Sequence, residues 1–200
     1  MKMVPGQELF RWIAKTGIPF DKTDPGFLTL MPTRTFARFW VLPTDPTVWP
    51  FFIATLLAGL DNWAAGYLWP RSGCWPEYGK SQSNNEGVRD VVLRGAGVPS
   101  GFSGAIRFER DEENSLITIL FVNMILGWCI DDDLFFIPDH ARQLLQTDHH
   151  DVIHVECLSN ERVQKLIDYM NGEGNPLPTE LPDGTFKRPV WMGGVSDLNC

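Results

Sequence analysis

A chain of 200 residues that is 44% hydrophobic and 12% aromatic holds enough apolar material for one packed domain, which excludes global disorder. Its net charge of −8 is unevenly distributed: residues 1–110 carry twelve Lys and Arg against nine Asp and Glu (+3), and residues 111–200 carry five against sixteen (−11). An acidic half of this size disfavours nucleic acid, whose phosphates need a basic footprint, and favours steering toward a basic partner.

The opening stretch, MKMVPGQELF, has one lysine and an early Pro and Gly where a secretory signal would turn apolar, so no export signal is expected. QELFRWIAKTG follows as a short helix, with Leu9, Trp12 and Ile13 at helical spacing and Gly17 past its end. RTFARFWVLP alternates Phe36, Arg38 and Trp40 against Ala37, Phe39 and Val41, the period of a strand, and ends at Pro43. TDPTVWPFFIATLLAGL sets Trp49, Phe52, Ile53, Leu56, Leu57 and Leu60 on one helical stripe, predicting a helix over about 47–60. Asp45 or Thr47 serves as its N-cap, with proline in the first turn.

YLWPRSGCWPEYGKSQSNNEG (67–87) reads as a turn-rich connection, most polar at 79–87, where a flexible loop is expected. The chain is then a single domain over 1–200, in which that loop joins an N-terminal subdomain (1–78) to a β-rich part (88–172). VRDVVLRG, GAIRFER and SLITILFVNMILGW are expected as successive strands, followed by a turn at Asp131–Asp133, LFFIP, and DVIHVEC, with ARQLLQ ambiguous. SNERVQKLIDYMNG predicts a helix over about 160–171, with Ser159 as N-cap, Leu158 against Val163 as a staple, and Gly172 as the stop. Residues 173–200 look like an extended tail. The sum is an α+β fold: an antiparallel β-meander in the C-terminal half, with the helices near 47–60 and 160–171 packed on one face.

Three of the four histidines fall within TDHHDVIHVEC (147–157), with His140 just upstream. In a strand, His150, Val152, His154 and Glu156 share one side, and Ile153, Val155 and Cys157 form the core side. Neighbours two apart lie roughly 6–7 Å apart, so His154 and Glu156 have the reach to grip one metal ion, with His150 joining through a bend. A zinc or other divalent site needs a further ligand, for which His140, Asp139 or Asp148 are candidates. No HExxH or other familiar spacing is present, and a solvated strand face explains the same residues. A pH-responsive histidine surface is a third reading.

Other motifs fall away on spacing. GAGVPSG misses the dinucleotide-loop pattern, GFSG lacks the nucleophile elbow, and CIDDDLFF has acids in a turn but no EF-hand loop. Cys74, Cys129, Cys157 and Cys200 form no CxxC pair, and buried free thiols fit a cytoplasmic chain. RSGCWPE resembles the nucleophile segment of papain-like proteases and of transglutaminases, yet Pro76 and Gly79 would break a helix starting at Cys74, and the papain pattern's preceding Gln and Cys are absent. The apolar runs 51–60 and 116–130 both fall short of the about 20 residues that cross a membrane, so a soluble protein is expected.

Two functional readings follow. The first is a non-enzymatic acidic interaction module, such as an immunity or inhibitor protein masking a basic toxin. Asp131, Asp132, Asp133, Asp148 and Asp151 would form its acidic rim, and Trp69 and Trp75 its exposed aromatic anchors. It needs no cofactor, no nucleic acid and no membrane, and it rests on charge rather than on a family match. The second is a metal-assisted hydrolase built on His150, His154 and Glu156, with a carboxylate as general base on a metal-bound water.

Overall fold

The structure is a computed structural model and describes residues 1–16, 18, 20–24, 27–30, 37–80, 84–126, 133–148 and 151–178. Along the chain run β1 (Lys2–Pro5), α1 (Gly6–Thr16), β2 (Phe20–Asp24), β3 (Phe27–Leu30), β4 (Ala37–Val41) and α2 (Trp49–Gly59). They are followed by β5 (Ala65–Pro70), α3 (Asn84–Gly95), β6 (Gly104–Glu109), α4 (Glu113–Ile125), β7 (Leu134–Pro138), β8 (Gln143–Asp148), β9 (Val152–Cys157) and α5 (Asn160–Gly172). Seven strands form one antiparallel sheet in the order β1–β6–β5–β7–β8–β9–β4, while β2 and β3 pair separately. The fold is α+β, with the meander β7–β8–β9 at its C-terminal end. The sheet draws β1, β4 and β5 from before residue 79 and its other strands from after residue 87.

Period-2 alternation gives the sheet two apolar faces. Leu68, Ile106, Phe108, Phe136, Leu145, Ile153 and Val155 point one way, into a core completed by Trp49, Ile53 and Leu56 of α2, Leu93 of α3, Leu116 and Leu120 of α4, and Leu166 of α5. Contacts between neighbours order these helices α5–α2–α4–α3. The intervening residues Trp69, Ala105, Phe135, Ile137 and Leu144 point the other way and are covered by Leu9 and Ile13 of α1. At the β1–β6 edge, Gly104 adopts φ +143°, and a β-carbon there would stand 2.2 Å from the Val4 carbonyl oxygen. Only glycine allows that approach.

Caps follow the sequence signals in two places. The Ser159 hydroxyl accepts from the Arg162 N–H at 3.4 Å at the start of α5. Asp45 accepts from the Thr47 N–H at 2.9 Å and so caps a 3-10 turn, Pro46–Val48, that leads into α2. Val48, at the α2 N-cap itself, makes no side-chain cap bond.

Three segments differ from the sequence expectation. VRDVVLRG lies in α3 rather than a strand: Asp90 and Leu93 are buried and Val88 and Val91 are exposed, a helical spacing that overrides the β preference of valine. SLITILFVNMI is α4, the inner helix of the layer, and its flanks on α2 and α3 explain why it is apolar nearly all round. YLWP belongs to β5, a central strand, rather than to a connection. Among the described residues no helix is long and apolar enough to cross a membrane.

Candidate functional site

On β9, Ile153, Val155 and Cys157 are buried toward the helical layer, and Val152, His154 and Glu156 lie on the opposite face, as the alternation predicts. His154 stands between Gln146 on β8 and Phe39 on β4. Its Nε2 is 3.3 Å from Asp148 Oδ2, and its ring centroid is 6.3 Å from that of Phe39. The imidazole is therefore held by a carboxylate on the next strand. This pair can carry a proton; a cation needs more donors. Among the described residues no group of three or more His, Cys, Asp or Glu is placed to hold a metal ion. His149, His150, Asp131 and Asp132 lie outside the described residues.

His140 sits apart, in the turn between β7 and β8. Its Nδ1 accepts the Arg142 N–H at 3.1 Å, and its own N–H donates to Asp139 Oδ1 at 3.1 Å. Burial pulls its pKa below the usual imidazole value, with Asp139 opposing and Arg142 adding to the shift. Cys157 is buried and free, and burial raises its thiol pKa. Cys74 is exposed and free, bridged to Ser103 in a turn, with no helix starting at it.

The described members of the expected acidic rim, Asp133, Asp148 and Asp151, are buried or half-buried rather than exposed. Asp133 is buried, 3.4 Å from Arg71 and 3.5 Å from Gln146 Nε2, and its carbonyl takes the Arg71 N–H at 2.8 Å. Asp151 is buried in the β8–β9 turn at φ +62°, and its carbonyl accepts the Leu42 N–H at 2.9 Å. Asp148 is half-buried against His154. The two expected anchors are core residues instead. Trp69 keeps 2% exposure inside β5, with Phe10 edge-on at 5.6 Å, and Trp75 keeps 3%, its indole donating to the Gly104 carbonyl at 3.0 Å. Taking β5 for a loop is what made Trp69 look available.

Exposed apolar side chains occur elsewhere. Phe51 on α2 is 74% exposed and Val48 is 39% exposed; with Thr55 and Ala58 they mark the outward stripe of this helix. No charged residue occurs from 46 to 60. A surface helix ordinarily turns charged residues to water, so the missing charges were the available sequence signal for this face. On α3, Val88 and Val91 are also exposed. Surface acids include Asp111, Asp139, Asp168 and Glu173.

No family model matches the chain, and no curated protein or solved structure matches it significantly.

Proposed function

We propose that this protein is a non-enzymatic interaction module that docks a basic protein partner through the outer stripe of α2. The exposure of Phe51 on an uncharged helix carries the reading. Burying a phenylalanine side chain is worth about 1.5–3 kcal/mol, and well-packed aromatic anchors commonly dominate interfaces. The net charge of −8 supplies long-range attraction to a cationic partner, which acts mainly on the association rate. An immunity or inhibitor protein that masks a basic toxin is the concrete form of this proposal. A cytoplasmic setting accords with the free thiols of Cys74 and Cys157.

The test is affinity capture from the native host, followed by binding of the recovered partner to wild-type and Phe51→Asp protein at low and high salt. The proposal expects a basic partner whose association slows with salt and whose dissociation quickens with Phe51→Asp. A partner indifferent to both changes would overturn it, as would repeated capture yielding no basic protein.

A further inference from the structure

The outer strands of the large sheet are β1 and β4, and among the described residues neither has a neighbour on its far side. Backbone N–H and C=O groups along a strand point alternately to its two sides, so the hydrogen bonds already made show which groups face outward. Beside β1, the Gly6 N–H donates to the Ser103 carbonyl, in register with Val4 opposite Ala105 and Lys2 opposite Arg107. Met3 and Pro5 therefore turn their backbones to the free side, and Pro5 has no N–H to give. With Lys2 beside it, this edge is blunted against a further strand. The edge of β4 is different. The Leu42 N–H donates to the Asp151 carbonyl at 2.9 Å, in register with Trp40 opposite Ile153. Ala37, Phe39 and Val41 therefore turn their backbones to the free side, each offering a donor and an acceptor. No proline or lysine interrupts ARFWV, and Arg38 is its one charge.

This row of outward groups is symmetric about Phe39. We infer that β4 pairs with β4 of a second copy of this chain, antiparallel, on a two-fold axis through Phe39, so that two seven-stranded sheets become one. Phe39 exchanges both hydrogen bonds with the partner's Phe39, and Ala37 does so with the partner's Val41, which satisfies every outward donor and acceptor of the strand. Moving the axis to a neighbouring residue leaves part of the row without a partner within the strand. The side-chain pairs also agree: Phe39 meets an aromatic ring, and Arg38 stands opposite the partner's Trp40 rather than a like charge. The net charge of −8 on each copy opposes association at long range, so added salt strengthens the pairing. The edge is separate from the outer stripe of α2 and does not depend on that face having a partner.

The test is mass in solution over a dilution series by sedimentation equilibrium, with hydrogen exchange read at the Phe39 and Val41 amides. Twice the mass of one chain is expected at high concentration, with both amides losing protection as dilution releases the monomer. Phe39→Pro removes an outward donor without touching the ladder to β9, and should leave a folded monomer. Phe39→Lys keeps the N–H but sets two cations face to face, and should weaken association about tenfold; it covers the case in which the proline variant fails to fold. Phe39→Tyr should dimerise as wild type does. A wild-type chain that stays monomeric would overturn the proposal, whether its Phe39 amide exchanges freely or is protected by another part of the same chain. So would a dimer that persists unchanged in either the proline or the lysine variant.

Discussion

Gly59, in the last turn of α2, lies directly against the ring of Tyr169 on α5: a β-carbon on residue 59 would stand 2.6 Å from Tyr169 Cδ1 and 2.8 Å from Leu166 Cδ1. The two helices approach this closely because one of them has no side chain at the crossing. Alanine would gain about 1 kcal/mol in helix propensity, but inserting a methyl into a packed crossing costs about 1–3 kcal/mol. Leu166 is fully buried and has little room to yield. Gly59→Ala is expected to lower stability by about 1 kcal/mol in urea unfolding, with Tyr169→Ala in the same chain recovering part of the loss. A more stable single variant would show that the helices separate without penalty.

At the other edge of the sheet the obstacle is backbone. The β-carbon of Gly104→Ala would face the Val4 carbonyl oxygen at 2.2 Å and the Gly6 nitrogen at 2.9 Å, at a φ that side chains rarely adopt. The expected loss is about 3 kcal/mol or more, with β1 detached. Hydrogen exchange at Val4 and Ile106 in the variant would show the detachment. Protection equal to wild type would contradict it.

His140 is set up to stay neutral. Its Nδ1 accepts the Arg142 N–H, and its Nε2 is buried without a partner among the described residues. Its folded pKa lies below the ordinary 6.5, so the unfolded chain takes up this proton first as pH falls. The stability contributed by neutral His140 is complete above 6.5 and is lost as pH falls from there through the folded pKa. His140→Gln should show a shallower stability loss than wild type across that window. An imidazole titration midpoint above 6.5 in the folded protein would reverse the sign.

The burial of Asp133 makes it a structural acid. Asp133→Ala removes the partner of Arg71 and of Gln146 Nε2, with an expected loss of about 1–3 kcal/mol. Arg71 is half-exposed and rehydrates, which keeps the loss below that of a fully buried pair. Chemical unfolding checks the figure. Wild-type stability in the variant would mean that this carboxylate is dispensable to the fold.

The elements legible in the sequence were those with an unambiguous period or cap. Helix α2 announced itself by its apolar stripe, α5 by Ser159, and β4, β6, β7 and β9 by alternation or compact apolar runs. Helices α3 and α4 did not. Valine-rich and uniformly apolar stretches fit a buried strand and a buried helix equally, and only packing between neighbours decides. For α4 its length was the neglected clue, since thirteen residues exceed an ordinary strand. The wet face of β9 was legible down to His154 and Glu156. The cross-strand pairing of His154 with Asp148 was not, because the register between β8 and β9 depends on a turn with no diagnostic residue pair.

The strand order also has a consequence for synthesis on the ribosome. Val4 pairs with Ala105, and Val41 pairs with Val152, so each outer strand is made more than a hundred residues before its partner. At about 5–20 residues per second, β4 waits on the order of ten seconds for β9. Nascent chains arrested before residue 157 are expected to stay sensitive to protease at β4, and chains extended beyond α5 to become resistant. Until then, strands still waiting for their partners are open edges available to any neighbouring chain. Crowding on a polysome, more than the equilibrium stability of the finished protein, would set its yield.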